Sequence, residues 1–131
     1  VNKNKFSILK NLHLLVSLTI VVPFAFIYGL SPADTLPEYF DFNVETTDLK
    51  NVFRAIMGLY LGISFVWILG IIKPNLWKTA TILHVVFMLG LALGRALSML
   101  MDGIPSQAFV TGFILELVLG YYGLLQLKRI K

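Results

Sequence analysis

The chain has 131 residues, of which 57% are hydrophobic and only 14% charged, and its mean hydropathy of +0.81 lies well above that of a water-soluble domain. A formal charge of +4 does not signal nucleic acid here, because the basic residues gather at the ends of apolar runs instead of forming a stripe. With no cysteine, the chain has no disulfide, thiolate metal site or cysteine nucleophile.

Four apolar runs, 6–30, 52–72, 79–101 and 107–127, can each cross a hydrocarbon core, which needs about 20 residues at ~1.5 Å of rise. They predict an all-α integral membrane protein, an antiparallel four-helix transmembrane bundle forming a single domain over 1–131. Lys3, Lys5 and Lys10 make the first run look like a signal peptide. Its apolar stretch is too long for one and no A-x-A site follows, so a retained helix is expected. Pro23 should kink that helix, since proline removes a backbone donor and clashes with the preceding turn.

The segment 31–50 carries Asp34, Glu38, Asp41, Glu45 and Asp48 and reads as an acidic outer loop with no calcium-loop spacing. Thr47 or Asp48 is expected to cap the second long helix. Ile72–Lys78 and Asp102–Ser106 contain the proline and glycine of tight hairpins.

Lys3, Lys5, Lys10, Lys73, Lys78, Lys128, Arg129 and Lys131 all fall on one side of such a bundle, and Lys50 with nearly all the acids on the other. By the positive-inside rule both termini are cytoplasmic. Trp67 and Trp77 then fit an inner aromatic belt, and Tyr28 and Tyr39 an outer one.

Glu116 stands inside the fourth run, nine residues or ~14 Å from its start, where a short carboxylate cannot reach water. An unpaired acid there costs about 2.5 to 3.5 kcal/mol on insertion scales, so it must be paired, protonated or facing a wet cavity. Arg54 and Arg95 lie ~9 and ~10 Å inside the second and third runs and can in part snorkel.

Helical spacing aligns Phe109, Gly112, Glu116, Gly120 and Gly123 on one face. Arg54 shares a stripe with Gly58 and Gly62, and Gly90 and Gly94 repeat the G-x-x-x-G spacing beside Arg95. These stripes are expected to mark helix packing around a polar centre. The centre is read as Glu116 with Arg95 and a second partner in Arg54; Ser98 shares the Arg95 face. Two readings stand: an ion-pair lock that fixes helix register, or a lock whose spare guanidinium also binds an anionic or polar headgroup.

His13, on the face of Ser17, and His84 lie at similar depth. Without a further carboxylate or cysteine at that level they read as hydrogen-bonded interfacial histidines, not as a metal or haem site. Ser98 and His84 are fourteen residues or ~21 Å apart on one helix, which excludes a hydrolytic pairing. No nucleotide loop or cofactor motif is present, and no nucleophile accompanies Glu116, which argues against an enzyme.

The block Thr47–Gly62 (TDLKNVFRAIMGLYLG), with Phe87–Arg95 (FMLGLALGR) and Leu115–Gly120 (LELVLG), resembles the small bacterial membrane proteins grouped as domain-of-unknown-function family 4345. The resemblance covers nearly the whole chain and implies a four-span protein of the bacterial inner membrane; it carries no activity. Arg54, Arg95 and Glu116 fall within its motifs.

Two function classes remain. One is a noncatalytic binding module holding a lipid headgroup, quinone or other amphiphile. The other is a structural or accessory subunit packing on copies of itself or on a larger membrane complex. Either has the lipid bilayer as its solvent.

Overall fold

The computed structural model describes residues 3–130, as five α-helices and one short 3-10 turn, with no strand among the described residues. In chain order these are α1 (Lys3–Gly29), α2 (Pro32–Tyr39), α3 (Thr47–Ile72), the 3-10 turn Pro74–Leu76, α4 (Trp77–Asp102) and α5 (Gln107–Arg129). Four of the helices, α1, α3, α4 and α5, are long and apolar enough to cross a membrane. The fold is therefore the all-α bundle expected from the four apolar runs. Of the flanking bases, Lys131 lies outside the described residues, as do the side chains of Lys3 and Lys5.

The boundaries shift by a few residues, for local reasons. α3 starts at Thr47 because Thr46 caps it, its hydroxyl accepting from the Leu49 N–H at 3.1 Å. The expected cap at Thr47 or Asp48 is thus one or two residues late, and Asp48 sits instead in the first turn, where a negative charge suits the helix dipole. α4 ends at Asp102 because Gly103 takes φ +98°, a conformation that side chains resist. α1 runs without a break through Pro23.

The acidic segment is more than a loop. Pro32 occupies the first turn of α2, where its missing N–H costs nothing, and Leu36 is fully buried beneath the helix. Beyond α2 the chain turns inward: Phe40 and Val44 are buried, and the Phe40 ring stacks on Phe109 of α5 with centroids 4.3 Å apart. The acids face out while these apolar residues close one end of the bundle.

α4 packs most extensively on α5 and α1 on α3; α3 meets α4 less closely, and α1 meets α5 only sparsely. Each long helix turns one narrow stripe inward. On α3 it is Tyr60, Ser64, Trp67 and Gly70, at helical spacing.

The glycines divide in a way the spacing did not show. A Cβ on Gly58, Gly62, Gly90 or Gly94 would meet nothing within 4 Å, so these G-x-x-x-G faces are not contacts within the chain. Close approach occurs at Gly120, where a Cβ would lie 2.6 Å from Leu89 Cδ2, and at Gly123 on the same stripe, as well as at Gly29 and Gly70, which the spacing argument passed over. Gly112 is intermediate, with Arg95 Nη2 3.9 Å from a Cβ position.

Trp67 is fully buried, Trp77 and Tyr28 nearly so, and only Tyr39 is exposed. Three of the four residues expected in aromatic belts are therefore core. The indoles meet histidines edge-on inside the bundle.

A side chain at Gly70 would collide with Ala80, with the Trp77 backbone in van der Waals contact at 3.6 Å. Gly70→Val should lower stability by about 1–3 kcal/mol. Gly62→Ala should be neutral or stabilising by up to about 1 kcal/mol through helix propensity. Thermal unfolding of both variants in detergent micelles compares them directly.

Candidate functional site

The α4–α5 hairpin brings Arg95 and Glu116 together. The Arg95 Nε–H donates to both carboxylate oxygens, at 2.9 Å to Oε2 and 3.1 Å to Oε1. This is the only salt bridge among the described residues, and Glu116 is buried. In hydrocarbon, where neither group finds water, each is the other's principal partner.

The geometry leaves donors over. Both bonds to Glu116 come from Nε, so neither Nη amine donates to the carboxylate. A guanidinium carries five N–H groups, and the four on Nη1 and Nη2 face elsewhere. The guanidinium lies over the Phe109 ring, with Cζ 5.3 Å from the centroid.

A cavity of about 300 Å³ opens beside the pair. It lies between α1, α4 and α5, with apolar walls from Val21, Phe24, Met88 and Leu119, and Phe40 from the inturned segment at its end. Arg95 and Glu116 supply its charge and Tyr28 and Tyr60 its phenols. It bridges α1 and α5, which touch only sparsely.

A second, wider recess of about 550 Å³ lies between α3 and α4, bordered by Phe53, Ile56, Gly90, Gly94 and Ser98. Arg95, Tyr28, Tyr60, Leu91 and Phe109 line both spaces, so the guanidinium stands in the wall between them. The glycines of α4, expected as packing surface, keep this recess open.

Arg54 does not join the centre. Its Nη1 donates to the carbonyls of Gly29 at 2.8 Å and Leu30 at 3.2 Å, the end of α1. Those carbonyls lack intrahelical partners and carry the negative end of the helix dipole, which draws in a guanidinium without any carboxylate. The expected trio of Arg54, Arg95 and Glu116 is therefore a pair, and the positive charge held in surplus sits on a helix terminus.

Ser98 is likewise diverted. Its hydroxyl is exposed and donates to Asp102 Oδ2 at 2.9 Å, one turn along the same helix. It borders the second recess without touching Glu116.

Sequence reasoning missed Tyr28, Tyr60, Phe40 and Phe109 as cavity residues. Tyr60, Ser64 and Trp67 at spacings of four and three were a legible inward stripe on α3. Phe40 had no such signal, because it lies in extended backbone just past α2, outside any helical periodicity.

The histidines lie deeper than expected. Both are fully buried, and each bonds a hydroxyl of the opposite helix: His13 Nε2 with Thr81 Oγ1 at 3.0 Å, and His84 Nε2 with Ser17 Oγ at 2.7 Å. The hydrogen bonding expected of them is present, but the expected interfacial position is replaced by full burial in the core. No group of three or more metal-ligating side chains occurs among the described residues.

Because Arg54 and Glu116 share no contact, their substitutions should act independently. In a double-mutant cycle of thermal or denaturant unfolding, Arg54→Met with Glu116→Gln should be additive within about 0.5 kcal/mol. Arg95→Met with Glu116→Gln should show coupling on the order of 0.5–3 kcal/mol. Strong coupling of Arg54 to Glu116 would contradict the pairing described.

No curated protein and no solved structure matches the chain. A family model does, over residues 9–127, which include α3, α4 and the Arg95–Glu116 pair. The chain belongs to the family described as domain of unknown function DUF4345, to which the Thr47–Gly62 block pointed.

Proposed function

We propose that this protein is a noncatalytic membrane binding module that holds an amphiphile in the cavity beside Arg95 and Glu116. The carrying observation is the one-sided ion pair at the cavity wall: Nε satisfies Glu116, and no Nη amine is spent on the carboxylate. A cavity of about 300 Å³ reaches the lower end of the range for small-molecule sites. Its apolar walls suit a hydrocarbon chain, and its polar end suits an oxygen acceptor.

The partition of charge narrows the headgroup. With Arg54 withdrawn to the α1 terminus, the centre is a neutral pair. A carbonyl, hydroxyl or ester oxygen is therefore favoured over a fully charged phosphate, which would compete with Glu116 for the guanidinium. Access is lateral, from the lipid between α1 and α5.

A second reading, an accessory subunit of a membrane complex or a homo-oligomer, draws on the open glycine faces of α3 and α4. Small residues with nothing against them within the chain let another helix approach closely. In that reading the Arg95–Glu116 pair is a lock between α4 and α5.

We further propose the bacterial inner membrane as location, with both termini cytoplasmic, on the distribution of Lys and Arg. A cysteine at Thr35 should react with an impermeant thiol reagent from outside intact cells, and one at Asn75 should not. The reverse pattern would overturn the orientation.

Gly112→Leu tests the site. A Cβ there has ordinary van der Waals room beside Arg95 and Glu116, so a larger side chain would project into the cavity with the ion pair kept. The variant should unfold near the wild-type temperature and lose at least tenfold of the amphiphile detected by native mass spectrometry from gentle detergent. Equal retention of amphiphile, or none on the wild type, would remove the binding reading.

A further inference from the structure

We infer that the recess between α3 and α4 is a lipid site in its own right, and that it takes a phospholipid with a primary ammonium headgroup, the phosphatidylethanolamine class. The inference does not rest on the Arg95–Glu116 cavity binding an amphiphile.

The recess has room, and no side chain fills it. It measures about 550 Å³ and follows α4, where a Cβ on Gly90 or Gly94 would meet nothing within 4 Å. In a bilayer core no water is at hand to fill such a hollow, and a void forfeits the dispersion contacts of its walls, so hydrocarbon chains occupy it. A second helix fits less well. Gly90 and Ser98 are eight residues apart, ~12 Å of rise, which gives the recess a mean width of about 7 Å. A helix with its side chains is ~10–12 Å across, whereas acyl chains are slimmer.

The polar groups of the wall lie at two levels. Of the ion pair, only Arg95 borders the recess, since Glu116 lines the cavity alone. The Tyr60 phenol borders it too; that residue is buried, and its hydroxyl has no hydrogen-bond partner among the described residues. Guanidinium and phenol both donate, which suits the ester oxygens of a glycerolipid.

Seven residues farther along α4, ~10 Å, stands the exposed Asp102. It accepts from Ser98 of the recess wall at 2.9 Å and is in no salt bridge among the described residues. This end of the bundle also carries Asp34, Glu38, Asp41, Glu45 and Asp48, against Lys50 and an Arg54 already spent on the α1 carbonyls. Such a rim repels an anionic headgroup and draws an ammonium. A primary ammonium donates to a carboxylate as well, which a quaternary one cannot do. The inward order of ammonium, ester oxygens and chains thus matches Asp102, then Arg95 with Tyr60, then the open face of Gly94 and Gly90.

The test is native mass spectrometry of the full chain released from nanodiscs containing equal phosphatidylethanolamine, phosphatidylcholine and phosphatidylglycerol. The wild type should retain phosphatidylethanolamine about fivefold or more over either other lipid. Equal retention, a preference for phosphatidylglycerol, or no retained lipid would overturn the proposal. Gly94→Leu, which fills the recess, should lose most of that lipid, whereas Gly112→Leu in the cavity should keep it. Loss in Gly112→Leu alone would put the lipid in the cavity and refute the recess as its seat. Unchanged retention in Gly94→Leu together with loss of a dimer would put a second copy there instead. Asp102→Asn, at an exposed position, should bring the three lipids to near parity; it decides the headgroup claim even where Gly94→Leu does not fold, because an unchanged preference would refute it.

Discussion

Within hydrocarbon every polar group needs a partner from the protein, and the pairing of Arg95 with Glu116 is where that constraint is most severe. Either residue alone would be a charge left in a low-dielectric medium. Together they fix the register of α4 against α5, the most extensively packed helix pair. That register sets Gly120 against Leu89 and Gly123 against His84 farther along the same hairpin. The pair is worth little as net stability, because desolvation offsets much of the Coulombic gain. Its structural value is that no slipped register satisfies both charges.

The same constraint explains the division of the interior into two polar layers. One contains Arg95, Glu116, Tyr28 and Tyr60; the other contains His13, Ser17, Thr81 and His84. Between them lie Val21 of α1, Met88 of α4 and Leu119 of α5, all buried and apolar. Polar groups that must find partners are best gathered where several helices can supply them. The intervening apolar residues keep the two networks separate, so no continuous polar file crosses the bundle through this level.

Much of the architecture was legible because its signals are local. Run length against bilayer thickness gives four spans, and the cost of a mid-membrane carboxylate singles out Glu116 and a hairpin-related partner in Arg95. What stayed hidden depends on where backbone groups lie in space. The carbonyls at the end of α1 have no sequence signature, so Arg54 was assigned to the nearest carboxylate when a helix terminus held it. α2 was obscured by prolines, although Pro32 at its first position is a helix-compatible placement. The glycine stripes were read as packing because spacing reports which residues share a face and not what the face meets. Trp67 and Trp77 were misplaced for the same reason: indoles near span ends serve a belt or a core equally well by position alone.

The relocation of Arg54 changes the chemistry of the centre as well as its membership. Three charges around one carboxylate site would leave a net positive centre that selects anions. A neutral Arg95–Glu116 pair carries no such net charge, and under the binding reading it would discriminate by hydrogen-bond geometry instead. Meanwhile Arg54 ties the start of α3 to the end of α1, at the end of the bundle where Phe40 and Phe42 turn inward. Tyr28, just before that terminus, faces both Phe40 and Phe53. The second arginine therefore acts on the cavity indirectly, by holding the helix end that positions Tyr28 and the inturned aromatic segment over it.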